Sequence, residues 1–320
     1  MTRALVTGAS GFVGQWLCRE LLRQGWQVSG TVFGDVVPAG ALSLDERRSV
    51  RWLTTDVRRP EDIRHALEEA HPDAIFHLAG VAFVPAASAD PGAALEVNVV
   101  AAVRLLAEVR VRRTAGTLDP VVLIVGSGEQ YGRHDASAMP LGEDVAQCPL
   151  SVYAASKAAQ EVVALAAFRS DGVRVVTTRS FNHSGAGQSD HFLLPALVKR
   201  AVALRGAWNQ TLTLGNTTPV RDFLHVADVV RAYVLLAEHG VPGESYNVAS
   251  GRGVDVATVA ERVLALTGVD AKLQSDPALV RPVEVPVLIG SPGKLHTTTG
   301  WEPALSLDTI IEDLIRATTH

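Results

Sequence analysis

The sequence has little of what disulfide scaffolds, membrane proteins and nucleic-acid binders require. Only two of its 320 residues are cysteine, Cys18 and Cys148. That is too few for a disulfide framework and, unaided, for a four-ligand zinc site, so no metal is expected. No apolar run approaches the roughly 18 residues of a membrane span, and no membrane partner is expected. Lysine and arginine number 29 against 34 aspartates and glutamates, a net charge of −5. No broad basic field therefore exists to hold nucleic acid, although a few clustered arginines could still grip a small anion. The chain opens on the strand-like Arg3-Ala4-Leu5-Val6 without the charged and apolar regions of a secretory signal, so a cytoplasmic protein is expected. What is present is ordinary globular material, 47% hydrophobic and 20% charged, long enough for two domains or one large one.

Short apolar runs at 4–6, 28–32, 50–54, 74–78, 121–125 and 173–177 alternate with helix-patterned stretches at 12–24, 61–70, 92–113 and 153–170. Strands alternating with helices predict βαβ units, hence an α/β fold with a doubly wound parallel sheet. Val121-Val122-Leu123-Ile124-Val125 has no polar face and reads as a central strand covered on both sides. Beyond residue 180 the rhythm changes. Polar loops at 180–189 and 206–219, helix patterns at 192–204, 227–238, 256–266 and 307–317, and an irregular Pro/Gly-dense stretch at 282–300 describe a smaller lobe interleaved with the sheet. The expected division is a dinucleotide-binding domain of residues 1–180 with about 218–250, and a substrate lobe of 181–217 and 251–320.

The first strand runs into Gly8-Ala9-Ser10-Gly11-Phe12-Val13-Gly14 and then a helix. Glycines at a strand-to-helix turn let the backbone approach a pyrophosphate, and the helix N-terminus offers unpaired N–H groups. A tight turn without ligand is the alternative, but the position at the first βα junction favours dinucleotide binding. Asp56-Val57, after the third strand, could meet adenine, though an aspartate there also serves as a turn former. Leu78-Ala79-Gly80 supplies small residues at the carboxyl edge of the fourth strand, and His77 beside it reads as a core histidine. The second strand ends on Val32 where an acidic residue would repel a 2′-phosphate. NADPH is thereby permitted and favoured over NADH. No arginine stands at Phe33, but Arg58 and Arg59 are near in sequence.

The fifth strand ends in Gly126-Ser127-Gly128-Glu129, and 26 residues after Ser127 comes Tyr153-Ala154-Ala155-Ser156-Lys157. Four residues apart on a helix puts phenol and ammonium on one face. A tyrosine of pKa about 10 is a poor acid–base at neutral pH. Lys157 and a positive nicotinamide are expected to lower it towards working range, with Ser127 donating to the same substrate oxygen.

Together these motifs resemble the extended short-chain dehydrogenase/reductases that modify nucleotide sugars, over nearly the whole chain from Gly8 to Trp301. The resemblance implies that Ser127, Tyr153 and Lys157 are catalytic and that Asn98, counted with the cofactor residues, helps order the site. It also implies that Asn182, Arg221 and Arg281 contact a nucleotide diphosphate and Glu284 the nucleoside ribose. An ion pair of Arg221 with Asp222 or Asp228 is the structural alternative. Phe181-Asn182-His183-Ser184-Gly185-Ala186-Gly187-Gln188 is similar to the loop of GDP-4-keto-6-deoxymannose reductases, with Ala186 in place of the usual proline. A 4,6-dehydratase resemblance is weaker, because its Thr, Asp or Ser, Glu triplet is here Ser127-Gly128-Glu129. Glu129 keeps a carboxylate, whereas Gly128 has no side chain to act as acid. A GDP-linked keto sugar is thus the expected partner, with 4-epimerisation as a further alternative. A homodimer through helices 92–113 and 153–170 is expected from their apolar stripe.

Overall fold

Strands that carry no polar side for water must be covered on both faces, and that requirement organises the first half of the chain. The computed structural model describes every residue except 35, 207–209, 277, 279–284 and 320. From the N-terminus run β1 (Arg3–Thr7), α1 (Phe12–Arg23), β2 (Gln27–Val32), α2 (Leu44–Ser49), β3 (Arg51–Thr54), α3 (Pro60–Ala70) and β4 (Ala74–His77). There follow α4 (Val84–Ala89), α5 (Pro91–Leu95), a π-helical turn (Glu96–Val100), α6 (Ala101–Thr114), β5 (Val121–Ser127), α7 (Val152–Asp171) and β6 (Val175–Ser180). The remainder comprises β7 (Asn182–Ser184), α8 (Leu193–Ala203), β8 (Gln210–Leu214), β9 (Val220–His225), α9 (Val226–His239) and β10 (Ser245–Val248). After these come β11 (Gly253–Asp255), α10 (Val256–Thr267), β12 (Ala271–Ser275), β13 (Val287–Leu288), α11 (Gly293–Thr299) and α12 (Leu307–Thr319).

Seven strands form a parallel sheet in the order β10-β6-β5-β4-β1-β2-β3, with β1 paired to both β2 and β4. The chain reverses direction of growth at β1, which opens a crevice at the strands' carboxyl ends between β1 and β4. One face buries Leu17, Leu21, Val229, Tyr233 and Leu236 from α1 and α9. The opposite face buries Ile63, Leu67, Leu105, Val109 and Ala164 from α3, α6 and α7. A third core, Leu197, Leu212, Val263, Ile311 and Leu314 among others, joins α8, β8, α10 and α12.

Three stretches read as loop or irregular chain contain short strands or a helix. β7 pairs with β9, β8 with β12, and β13 with β9. Each pairing partner lies far away in sequence, so no local periodicity announces it. The helix expected over 92–113 is also interrupted, because the backbone makes a π-helical turn at Glu96–Val100. Such a turn inserts one residue into the helix and is frequent at functional sites. Among the described residues no helix is long and apolar enough to cross a membrane.

Candidate active site

The carboxyl edge of the sheet opens into one cleft of about 970 Å³ that holds most of the residues singled out from the sequence. Gly8, Gly11, Phe12, Val13 and Gly14 line one part, Asp56 and Val57 another, Leu78, Ala79 and Gly80 its floor, and Ser127, Glu129, Tyr153, Lys157, Asn182 and Arg221 the remainder. Two glycines are dictated by the chain itself. Gly8 has φ +71°, and a Cβ there would stand 2.8 Å from Ala79 N; at Gly14 it would stand 2.3 Å from Gly8 O. α1 starts at Gly11 with no side-chain cap, so its first N–H groups are left for an anion. These residues form a cradle that fits a dinucleotide pyrophosphate.

At the end of β2 the Arg58 guanidinium lies 5.6 Å from the centre of the Phe33 ring and pairs with both Asp56 carboxylate oxygens, at 2.9 and 2.7 Å. The Arg58 side chain holds the Asp56 carboxyl below its usual range. Asp56, expected to meet adenine, therefore already has a charged partner, and the arginine missing at Phe33 is supplied from after β3.

Ser127 ends β5 and caps the short 3₁₀ turn of Gly128–Tyr131. Its hydroxyl oxygen accepts the Glu129 N–H at 3.2 Å and its own N–H donates to Gln130 Oε1 at 2.7 Å. The oxygen is thus fixed while the hydroxyl proton remains to be given away. α7 begins on the Ser151 cap, whose side chain accepts from Ala154 N–H at 3.1 Å, and this sets the helical phase that turns Tyr153 and Lys157 into the cleft.

Burial governs the protonation of the pair within the chain itself. Burial pushes the Tyr153 phenol up, against a lowering hydrogen bond from Ser127, and the Glu129 charge raises it further. Burial lowers Lys157 to about 8. Its ammonium donates to Val125 O at 2.7 Å and Gln160 Oε1 at 3.0 Å. Desolvation thus favours the protonated form of the tyrosine.

Asn98 stands behind the cleft wall rather than in it. It is fully buried in the π-helical turn, accepts from Val81 N–H at 2.7 Å and donates to Val81 O and to Ser156 Oγ. It ties the turn after β4 to α7. His77 is a buried neutral histidine whose Nδ1 meets Thr7 Oγ1 at 2.8 Å, burial lowering it to about 3. Asp222 accepts from the backbone N–H of Ser250 and Gly251, and Asp228 accepts from Arg231 and from the N–H of Ala304 and Leu305. Both carboxylates named as structural partners of Arg221 are thus also held by these groups. Arg281 and Glu284 lie outside the described residues.

A buried network behind Ser127 escaped the sequence reading. Glu161 accepts from Arg179 at 2.7 and 3.0 Å, from Gln130 at 2.9 Å and from Gln147 at 2.7 Å. Arg179 also donates to the Tyr131 hydroxyl. Gln130 carries the linkage forward to the Ser127 N–H. Arg200 and the aromatic group of Phe83, His191 and Phe192 also line the cleft; scattered over the chain, they carry no motif.

A Rossmann sheet with a glycine turn at its switch point, and a serine, tyrosine and lysine at its carboxyl edge, defines a short-chain dehydrogenase/reductase. The chain belongs to the GDP-mannose 4,6 dehydratase family, whose model matches residues 5–314. It is 33% identical to a GDP-6-deoxy-D-mannose reductase of Pseudomonas aeruginosa, over 95% of this chain and 93% of that protein. It is 30% identical to a GDP-6-deoxy-D-talose 4-dehydrogenase of Aggregatibacter actinomycetemcomitans, over 93% and 91%. The solved structure of RMD from Pseudomonas aeruginosa complexed with NADPH superposes with a TM-score of 0.83 at 29% identity, covering 99% of each chain. The UDP-glucose 4-epimerase of Thermus thermophilus in complex with NAD gives 0.86 at 26%, again covering 99% of each.

Proposed function

We propose that the protein reduces the C4 keto group of a GDP-linked 4-keto-6-deoxy sugar, converting GDP-4-keto-6-deoxy-D-mannose to GDP-D-rhamnose with NADPH. The observation that carries this reading is the convergence of Ser127, Tyr153 and Lys157 on the cleft that the glycine turn opens. When bound, the nicotinamide supplies the hydride. Gly11, the free N–H groups of α1, and the floor at Leu78, Ala79 and Gly80 are suited to hold the dinucleotide.

Tyr153 then delivers its proton to the C4 oxygen as negative charge develops there. Its raised pKa suits this direction, because a donor must hold its proton until the transition state. Ser127 donates a second hydrogen bond to the same oxygen, and Lys157 offsets the charge left on the phenolate. Asn182 and Arg221, with Arg281 and Glu284 from the undescribed stretch, are assigned to the nucleotide diphosphate and ribose so that the carbonyl faces the cofactor. NADPH is the preferred coenzyme in this reading because Val32 offers no repulsion and Arg58 stands at the adenosine end. Dehydration by the same fold would use Glu129 as base, but Gly128 provides no acid beside it.

The reading also includes a cytoplasmic homodimer formed by α6 and α7. Val103 and Val162 are exposed on these helices, with Val162 at 62%, which agrees with a covered apolar face. Residues 1–180 with 218–250 form the cofactor half in this scheme, and the rest the sugar-nucleotide lobe.

The test mixes purified protein, the 4-keto sugar and NADPH and follows loss of the reduced cofactor's absorbance. A parallel thermal-shift panel compares GDP, UDP, dTDP and CDP. Oxidation of NADPH with selective stabilisation by GDP is expected; no turnover of the keto sugar sinks the proposal.

A further inference from the structure

Gln160 is completely buried on α7, three residues beyond Lys157, and its two amide ends are treated very differently. The oxygen accepts from the Lys157 ammonium at 3.0 Å. The nitrogen, equally buried, has no hydrogen-bond partner among the described residues. An orphaned buried donor costs free energy, and an apolar side chain of similar volume would avoid that cost. A glutamine at this place is therefore explained by what its oxygen does.

What the oxygen meets is an ammonium with few other supports. Lys157 has one further acceptor, the Val125 carbonyl at 2.7 Å, and among the described residues no carboxylate forms an ion pair with it. The titratable groups around it give no help. Tyr153 one turn earlier holds its proton, and His77 from β4 is buried and neutral. Glu129 acts on Tyr153, while Glu161, next to Gln160, is taken by Arg179. Burial works against the charge. Two neutral dipoles thus hold the cation, and they leave its third N–H for the cleft, where a Cβ at Gly80 would stand 3.6 Å from Nζ.

We propose that Gln160 is a positioning residue whose buried amide oxygen pins the Lys157 ammonium one helical turn from Tyr153 and keeps it charged at working pH. The proposal rests on the reductase reading only for its consequence in catalysis; the coupling between the two side chains stands apart from any substrate. A hydrogen bond to a charged group is worth about tenfold or more in an equilibrium constant, so removing it shifts the Lys157 midpoint by about one pH unit.

The experiment uses the full chain labelled at lysine. There are four lysines, Lys157, Lys199, Lys272 and Lys294, and Lys157→Met assigns its signal by loss. NMR titration is run on the wild type, Gln160→Leu and Gln160→Glu. The leucine variant is expected to lower the Lys157 midpoint by about one unit, and the glutamate variant to raise it. In turnover with the keto sugar and NADPH, the alkaline fall in kcat moves in the same two directions. Should leucine impair folding, Gln160→Met, which keeps the side chain's length, takes its place. A midpoint unmoved in folded variants overturns the proposal. Shifted midpoints without keto-sugar turnover support the positioning role and count against the reductase reading alone.

Discussion

Phe181 packs directly on Gly128, so that a Cβ at residue 128 would stand 3.1 Å from three atoms of its ring. The ring has nowhere to go. It is buried, neighbours Tyr131 with ring centroids 6.1 Å apart, and sits where a Cβ at Gly290 would approach it within 2.3 Å. Residue 128 therefore stays without a side chain, and the cleft lacks an acid beside Glu129. Gly128→Asp is expected to overpack this corner and lower stability by about 1–3 kcal/mol without creating dehydration of GDP-mannose. Thermal melts and product analysis check both halves of that statement.

Tyr153→Phe removes the proposed proton donor while leaving the ring in place. Turnover should drop by about 10²–10⁴-fold, with NADPH affinity, followed by fluorescence, nearly unchanged. Near wild-type kcat in this variant contradicts the assigned role.

The proposed use of NADPH sets Asp56, which Arg58 holds at 2.7 Å, in competition with a 2′-phosphate for the Arg58 guanidinium. Removing a bidentate charge-assisted contact costs roughly tenfold or more in affinity. Arg58→Ala should accordingly raise the KM for NADPH by about that factor and leave the KM for NADH close to its original value. Equal effects on the two coenzymes count against a phosphate contact.

Arg179 and Glu161 form an ion pair in which both side chains are less than a tenth exposed. Arg179→Met leaves Glu161 charged in a dry interior and should destabilise the fold by about 3–5 kcal/mol, measured by denaturant melts. Because Gln130 links this pair to the Ser127 N–H, the surviving folded fraction should also show a lower kcat.

His77 makes stability depend on acid. Its folded pKa, about 3, lies below its ordinary 6.5. The neutral form is favoured in the fold, so its contribution is complete above pH 6.5 and is lost as pH falls towards about 3, at roughly 1.4 kcal/mol per unit. His77→Gln should flatten that part of the stability-against-pH curve relative to wild type.

Much of this was legible without coordinates. The continuous apolar run at 121–125 became an interior strand because only a strand covered twice can hide it. The glycine turn, Ser127 and the Tyr153–Lys157 spacing all fell on one cleft because each sits at a strand end or on the first turns of a helix. Asn98 was legible as a residue but not as a place, since a π-helical turn leaves no periodic trace. The Glu161–Arg179 network was invisible for a related reason: its partners come from β5, α7, β6 and the loop between β5 and α7, with no spacing in common.

Spacing and pattern along the chain were sufficient for the parallel sheet and for the side chains that meet in the cleft, because both depend on local order within a few turns or strands. Protonation, by contrast, belonged to the tertiary structure. Whether Tyr153 holds or yields its proton depends on how much water the folded interior removes and which dipoles face it. Those quantities come from contacts between residues far apart in the chain, which no local pattern encodes.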